Sequence, residues 1–267
     1  MIDRIMFHSL WQYRGFILGA VRREFQGRYQ GSMLGGVWAI LNPLTMILIY
    51  TLVFSRLMGA RLAGHENNIF AYSIYLCSGL LPWGLFAEVL GRLNTVFIEN
   101  SNLIKKAQLP RACLPVIVVL SALLHFVIIT ALFLVFLAAT CNLPGWALLS
   151  FPLVIMLQLV FTLGLGIILG TVNVFFRDVG QLTGIVLQFW FWLTPIIYVS
   201  DILPPLIKSL FSLNPMWPMV HAYHTIFVEH RLPDWLSLAP VALLSLILLA
   251  LAAKIFLARV GEIVDEL

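Results

Sequence analysis

Residues 175–198 read FFRDVGQLTGIVLQFWFWLTPIIY, and this stretch decides the fold class. It opens with Arg177 and Asp178, two charges that need water or lipid headgroups around them. The 22 residues that follow, 179–200, carry no charge. A helix of about 20 predominantly apolar residues crosses the roughly 30 Å hydrocarbon core of a bilayer. The stretch therefore predicts one transmembrane helix.

This predicted helix has a polar face. With 3.6 residues per turn, a narrow arc collects Gln181, Gly184, Gln188, Trp192 and Pro195. Glutamines that faced lipid would leave polar groups without hydrogen-bond partners. The face is therefore expected to look into a protein interior or a wet cavity.

Aromatic side chains are concentrated in the second half of the same stretch: Phe189, Trp190, Phe191, Trp192 and Tyr198. Flat rings beside sparse amides suit a sugar better than they suit an ion or a lipid tail. The alternative is that the glutamines bond to neighbouring helices while the aromatic rings form a belt at the membrane interface. The residues alone leave both interpretations open.

The composition is that of a membrane protein. The chain has 267 residues, of which 61% are hydrophobic and 10% are charged, whereas a soluble domain has about a quarter charged residues. A net charge of +4 would hint at nucleic acid in a soluble chain, but here the basic residues lie in loops and fit membrane topology better. The three cysteines, Cys77, Cys113 and Cys141, have no paired spacing, so neither a disulfide framework nor a metal site is predicted.

The first thirty residues are interrupted by arginines, which excludes a signal peptide within them. Apolar residues repeat there at spacings of three and four: Met6, Leu10, Tyr13, Ile17 and Val21. This pattern predicts an amphipathic helix that lies on an anionic membrane face. Docking onto a soluble partner is the competing interpretation.

Uncharged segments predict six spans in total. The first lies between Arg28 and Arg56, and its polar side carries Trp38, Asn42 and Thr45. The second lies between Glu66 and Glu88, with Glu88 and Arg92 one turn apart at its inner end and able to pair. Residues 112–176 form two spans divided at Asn142, the fifth is the stretch at 175–198, and the sixth is 235–253.

Two short segments complete the organisation. Residues 200–234 contain two apolar stretches that are too short to cross a bilayer, and these predict a pair of re-entrant or interfacial helices. Residues 94–115 are polar and predict a short helix over 101–108 whose basic residues lie at a cytoplasmic surface. Merely solvated positive charge is the alternative for this second segment.

The distribution of charge predicts the orientation. With both termini on one side, that side collects twelve of the sixteen lysine and arginine residues. The positive-inside rule then places both termini in the cytoplasm of a multi-pass protein of the inner membrane.

Four segments carry a family resemblance: RYQGSMLGGVWAILNP at 28–43, NLIKKAQLPRACLP at 102–115, the stretch at 175–198, and SLNPM at 212–216. In this order they resemble the membrane subunit of bacterial polysaccharide ABC exporters, within the ABC-2 permease family. The resemblance covers nearly the whole chain. One departure is that related chains often have an arginine shortly after NPM, where this one has His221 and His224.

The resemblance implies a single all-α transmembrane domain over residues 1–267, with an interface helix at 1–30, a coupling segment at 99–112 and a re-entrant segment at 200–234. It also implies a homodimer that binds two copies of a cytoplasmic ABC ATPase and moves an O-antigen-like polysaccharide linked to undecaprenyl diphosphate. Another amphiphile is the alternative substrate.

The resemblance also assigns roles to residues. The expected ATPase contact comprises Asn102, Lys105, Lys106, Pro110 and Arg111. The expected channel wall comprises Trp38, Asn42, Thr45, Gln181, Gln188, Phe189, Trp192 and Tyr198. Four arginines at the cytoplasmic rim would meet either the lipid diphosphate or anionic lipid in general: Arg14, Arg22, Arg23 and Arg28.

No catalytic constellation is present in the sequence. The chain lacks the G-x-x-x-x-G-K-[ST] phosphate loop, so ATP and Mg²⁺ are expected on a partner ATPase and no cofactor is expected in this chain. A membrane-embedded glycosyltransferase or acyltransferase would need a cluster of carboxylates or histidines, and Asp201, Glu229 and Asp234 are too scattered for one. A secondary transporter would need buried ionisable residues and an internal repeat, and no clear repeat is found.

Overall fold

Helices form all the regular structure in the part of the chain that the computed structural model describes, which is residues 11–57, 62, 68–106, 110–199, 204, 211 and 213–266. In chain order they are α1 (Arg14–Gly27), α2 (Trp38–Tyr50), α3 (Ala71–Glu99), α4 (Ser101–Lys106), α5 (Cys113–Ala139), α6 (Phe151–Phe175), α7 (Asp178–Trp192), α8 (Met216–Phe227) and α9 (Trp235–Glu266). Short 3₁₀ turns at Gly35–Val37 and Gly145–Ser150 lead into α2 and α6, and a π-helical segment at Thr51–Leu57 continues α2.

Five segments of the described chain are long and apolar enough to cross a membrane: Gly35–Phe54, Ala71–Glu99, Cys113–Ala139, Gly145–Phe175 and Trp235–Arg259. They correspond to the first four predicted spans and the sixth. The predicted fifth span differs, because α7 has 15 residues and ends at Trp192. Pro195 has no amide hydrogen to continue the helical ladder, and the chain bends at 194–198.

Two other boundaries differ from the prediction. The second span does not end near Glu88, because α3 continues as one helix of 29 residues to Glu99. The pair formed by Glu88 and Arg92 therefore lies inside α3. The last helix likewise continues past residue 253 to Glu266. Its charged residues Lys254 and Arg259 are exposed, so the helix can carry them without a break.

Helices α3, α6 and α9 pack closely because α6 presents glycines at the contacts. An ideal Cβ at Gly164 would lie 2.7 Å from the amide nitrogen of Leu249 on α9. On the α3 side, a Cβ at Gly166 would lie 2.8 Å from the Cβ of Leu93, and one at Gly170 would overlap the Leu93 carbonyl oxygen. Small residues let helix backbones approach in this way within a membrane.

Helix α8 is the second apolar stretch of residues 200–234 and lies at the centre of the core. Met216, Met219, Val220 and Tyr223 are each 0% exposed. Residues 200–212, which hold the first predicted re-entrant helix, lie outside the described residues except for Pro204 and Phe211.

A buried hydrogen-bonded chain joins α8 to its neighbours. The Tyr223 hydroxyl donates to Gln158 Oε1 of α6 at 2.8 Å, and Gln158 Nε2 donates to the Pro82 carbonyl of α3 at 2.8 Å. Both side chains are 0% exposed, so each polar group needs its partner. Of the three cysteines, Cys77 and Cys113 are buried, and Cys141 is exposed in a turn.

Candidate channel wall and coupling surface

The predicted polar face of α7 is exposed in the structure. Gln181, Gly184, Gln188 and Trp192 recur every three or four residues and are all exposed. Neither glutamine amide makes a hydrogen bond to any described residue. Four of the five residues that the sequence places on one face of this helix therefore do share an exposed face.

The aromatic residues of α7 divide between two sides of the helix. Phe189 is 68% exposed and Trp192 is 58% exposed. Trp190 points the other way, with its ring centroid 5.2 Å from that of Phe86 and 6.3 Å from that of Phe161. Phe191 packs at 5.6 Å from Trp83. One side of α7 is therefore built into the core, and the other is left free.

The chain after α7 is held by tyrosines, and one predicted face residue, Pro195, is corrected here. Pro195 is buried, and Tyr198 is half-buried beyond the end of the helix, so neither continues its exposed face. The Tyr198 hydroxyl folds back to donate to the Trp192 carbonyl at 2.6 Å. From α3, Tyr75 donates to the carbonyl of Tyr198 at 2.9 Å, and Tyr72 donates to that of Ile197 at 2.7 Å.

Helix α2 has the second predicted polar side. Asn42 and Thr45 are exposed, and the Trp38 indole N–H donates to Ser32 Oγ at 2.7 Å. The opposite stripe, Ala39, Pro43 and Ile47, is buried. Helix α2 packs against α5 and α3, while α7 packs against α3 and α6. One chain therefore carries the two polar faces on separate helices that flank α3.

The predicted coupling segment begins directly at the end of α3. Helix α4 covers Ser101–Lys106. The last two residues of the predicted helix at 101–108 lie outside the described residues, as does residue 109. Ile104 is 9% exposed and anchors α4, whereas Asn102 and Lys105 point outward and are exposed. Pro110 and Arg111 are partly exposed just after the gap, and the Lys106 side chain lies outside the described part.

Helix α1 lies against α5, with Ile17 and Val21 buried in the contact. These two residues belong to the predicted apolar stripe, whose first members Met6 and Leu10 lie outside the described residues. Three of the four rim arginines on α1 are exposed, and the guanidinium of Arg14 lies 4.8 Å from the centre of the Trp11 ring. Arg28, which follows α1, differs from them because it forms an ion pair with Glu88.

A charged network ties α1 to the C-terminal half of α3. The predicted pair of Glu88 and Arg92 is confirmed at 3.6 Å, and each partner also reaches α1, where Arg92 pairs with Glu24 and Glu88 pairs with Arg28. Glu24 also accepts a hydrogen bond from the Ser121 hydroxyl of α5 at 2.7 Å. The sequence analysis missed Glu24, although it is the only acidic residue between Arg14 and Arg28.

The two histidines that depart from the family pattern lie on α8. His221 is exposed, and His224 is buried, with its ring stacked at 3.8 Å on that of Tyr75. Gly79 of α3 makes room for this contact, because an ideal Cβ there would lie 3.0 Å from His224 Nε2. His224 thus fills space between α3 and α8.

The chain matches the ABC-2 type transporter family over residues 17–228, from α1 to the end of α8. An O-antigen export system permease protein of Myxococcus xanthus is 37% identical over 261 residues, which cover 97% of this chain and 98% of that protein. An O-antigen export system permease protein of Klebsiella pneumoniae is 31% identical over 214 residues, covering 79% of each chain. The polysialic acid transport protein KpsM of Escherichia coli is 22% identical over 246 residues, covering 89% of this chain and 90% of that protein.

These matches confirm the resemblance on which the residue roles rest. They agree with the five long apolar helices, which make the chain an integral membrane protein. The chain belongs to the ABC-2 type transporter family.

Proposed function

We propose that two copies of this chain form the transmembrane pathway of an ATP-driven exporter. Its substrate is an O-antigen-like polysaccharide linked to undecaprenyl diphosphate, which crosses the cytoplasmic membrane. The observation that carries the proposal is the exposed face of α7, where Gln181, Gln188 and Trp192 lie in line on a helix whose other side is packed into the core. Relatives named as O-antigen export permeases support the substrate class.

The chemistry of this face suits a sliding polymer. A pathway for a long polysaccharide must bind each sugar weakly and release it again, which strong ion pairs would prevent. Aromatic rings such as Trp192 and Phe189 offer stacking contacts on the order of 1 kcal/mol each. The glutamine amides add donors and acceptors without charge. On α2, Trp38, Asn42 and Thr45 supply the same kinds of group to the wall.

Two copies of a separate ABC ATPase bind to each dimer. They bind ATP and Mg²⁺, and ATP hydrolysis drives the transport. Helix α4 is the proposed contact, because Asn102 and Lys105 are exposed on a short helix that Ile104 fastens to the membrane domain. We assign Lys106, Pro110 and Arg111 to the same contact, as the family resemblance implies. Since α4 follows α3 with only Asn100 between them, a movement of the ATPase reaches the inner end of α3 directly.

The topology has six spans with both termini in the cytoplasm. Helix α7 rises about 22 Å over its 15 residues, which is shorter than the roughly 30 Å hydrocarbon core. Residues 193–199 complete the fifth span, and the carbonyl groups of Ile197 and Tyr198 are paired with tyrosines of α3 rather than left in lipid. At the cytoplasmic rim, Arg14, Arg22 and Arg23 are exposed and form no ion pair with a described residue, so we assign them to the diphosphate, while Arg28 pairs with Glu88.

The test is a depletion experiment in the native host. Loss of this chain, or of the ABC ATPase that purifies with it, should remove the polysaccharide from the cell surface while lipid-linked polymer accumulates on the cytoplasmic side. Purified complexes should contain two membrane subunits and two ATPases by native mass. Normal surface polysaccharide after depletion, or a complex with one membrane subunit, would contradict the proposal.

A further inference from the structure

The side chain of Asn214 lies at the junction between the end of α7 and the start of α8. It makes four hydrogen bonds. Its Oδ1 accepts from Trp190 Nε1 at 2.6 Å and from the Met216 amide at 2.9 Å, and its Nδ2 donates to the Leu193 carbonyl at 3.1 Å and to Thr194 Oγ1 at 2.9 Å. Asn214 lies in the SLNPM segment, to which the sequence analysis assigned no role.

These bonds define one orientation of the amide. Oδ1 faces two N–H donors. Nδ2 faces a carbonyl oxygen and a threonine hydroxyl that already donates to the Trp190 carbonyl. A flipped amide would lose all four bonds, because donors would face donors and acceptors would face acceptors. Only an asparagine-sized side chain with both an acceptor and a donor end satisfies this site.

The junction joins α7, which is exposed along one side, to α8, which is buried in the core. Helix α8 starts at Met216, which is 0% exposed in the core, so the Asn214 backbone is held in place from that side. Helix α7 ends at Trp192, and the last carbonyls of a helix need partners outside it. Asn214 donates a hydrogen bond to the Leu193 carbonyl. At the same time it accepts a hydrogen bond from the Trp190 indole, which holds that ring inward. Because Trp190 and Trp192 are about 200° apart around the helix, this contact turns Trp192 outward.

We propose that Asn214 is a positioning residue that sets the rotation of the end of α7, and so the outward direction of Trp192 and Phe189. Its relevance to export rests on the proposed function of that face. The rotational role itself depends only on the four hydrogen bonds and is tested separately.

Two variants remove the bonds in different ways. Asn214→Ser keeps an oxygen that can accept the Met216 amide, as serine does in turns, but is too short to reach Trp190 and Leu193. Trp190→Phe keeps an aromatic ring beside Phe86 and removes the indole N–H together with part of the ring, so it stays informative if Asn214→Ser does not accumulate.

The experiment uses the full chain, co-expressed with its ATPase and reconstituted in lipid, with Cys77, Cys113 and Cys141 replaced by serine. A nitroxide spin label is attached at Trp192→Cys or, as the matched control at the start of the same helix, at Gln181→Cys. Collision rates with oxygen, which enriches in lipid, and with a water-soluble nickel chelate are then measured. Because one probe samples lipid and the other samples water, the pair reports a change in the direction of the label whether the face meets lipid or water.

We expect both variants to change the ratio of the two collision rates at position 192 beyond the error of the measurement, because losing one ordinary hydrogen bond shifts the equilibrium between rotations of the helix end by about threefold or more. The ratio at position 181 should stay within error. An unchanged ratio at 192 in both variants would overturn the role of Asn214. If the ratio changes but the label at 192 never meets the nickel chelate and surface polysaccharide is normal, the positioning role stands and the proposed channel face is wrong.

Discussion

Trp190 and Trp192 lie two residues apart on α7 and point in opposite directions. The Trp190 indole is bonded to Asn214 at 2.6 Å and packed against Phe86, whereas the Trp192 ring is 58% exposed. Two tryptophans of identical chemistry therefore stand in opposite environments on one helix. The pair allows a structural role to be tested separately from the proposed role in the pathway.

Replacing Trp192 by alanine should impair export while the protein folds normally. A lost stacking platform removes on the order of 1 kcal/mol per sugar contact, and a long polymer meets it at every step. Surface polysaccharide is compared with the membrane level of the variant, in cells that lack the native chain. Short polymers should be affected less than long ones.

Trp190→Ala is the matched control for this experiment. Deleting a buried tryptophan typically costs about 3–5 kcal/mol, so this variant should be poorly expressed or thermally unstable. Equal export by both variants at equal protein level would show that the Trp192 face is structural.

Charge reversal of Lys105 and Lys106 together should weaken binding of the ATPase by about tenfold or more. Each exposed ion pair is worth about 1 kcal/mol or less, so the two changes are needed together. Copurification of the ATPase from membranes measures the loss. Lys254→Glu on α9, also exposed, is the control and should bind the ATPase normally. Undiminished copurification of the double variant would exclude α4 as the contact.

The pair of Glu24 and Arg92 should stabilise the docking of α1. Their side chains are 31% and 26% exposed, so solvent screening limits the pair to about 1 kcal/mol. Glu24→Gln and Arg92→Gln should each lower the thermal midpoint of the purified protein, and the double variant should lose less than the sum of the two.

The matched control is the exposed pair of Arg259 and Glu262, at 55% and 53% exposure. Removing either partner there should leave the midpoint unchanged. Strictly additive losses for Glu24 and Arg92 would mean that the two residues act independently.

Gly170→Ala should destabilise the packing of α6 on α3. The added methyl would overlap the Leu93 carbonyl oxygen, which belongs to the α3 backbone and cannot rotate away. Overpacking of this kind costs about 1–3 kcal/mol. Gly91→Ala is the control, because a Cβ there meets nothing within 4 Å and alanine favours a helix. The measurements are the amount of each variant in the membrane and its thermal midpoint. Equal values for the two variants would contradict the close contact between α6 and α3.

The sequence by itself determined the membrane class, five of the spans and the line of polar residues along α7. These features are local. An apolar, uncharged run of about 20 residues is long enough to cross a bilayer as a helix whatever its neighbours are, and helical geometry places Gln181, Gln188 and Trp192 in line without reference to any other helix. The pairing of Glu88 with Arg92 belongs to the same class, since one turn of α3 separates them.

The end of α7 needed more than a count of charges. Pro195 was visible in the sequence, yet an uncharged run extends through it, and the prediction carried the helix to Tyr198. The helix ends at Trp192 because Pro195 cannot donate to the preceding turn, and beyond the end the carbonyls of Leu193 and Pro195 accept hydrogen bonds from Asn214 and Tyr75.

Only the tertiary structure decided which polar groups meet across the fold. Glu24 lies 68 residues from Arg92, and Trp190 lies 24 residues from Asn214. The sequence contains all four residues, but the type of a charged or amide side chain does not specify which distant residue it will pair with. The partner is selected when apolar stripes pack α1 against α5 and α8 against α3, because burial then makes an unpaired polar group costly and leaves one neighbour within reach.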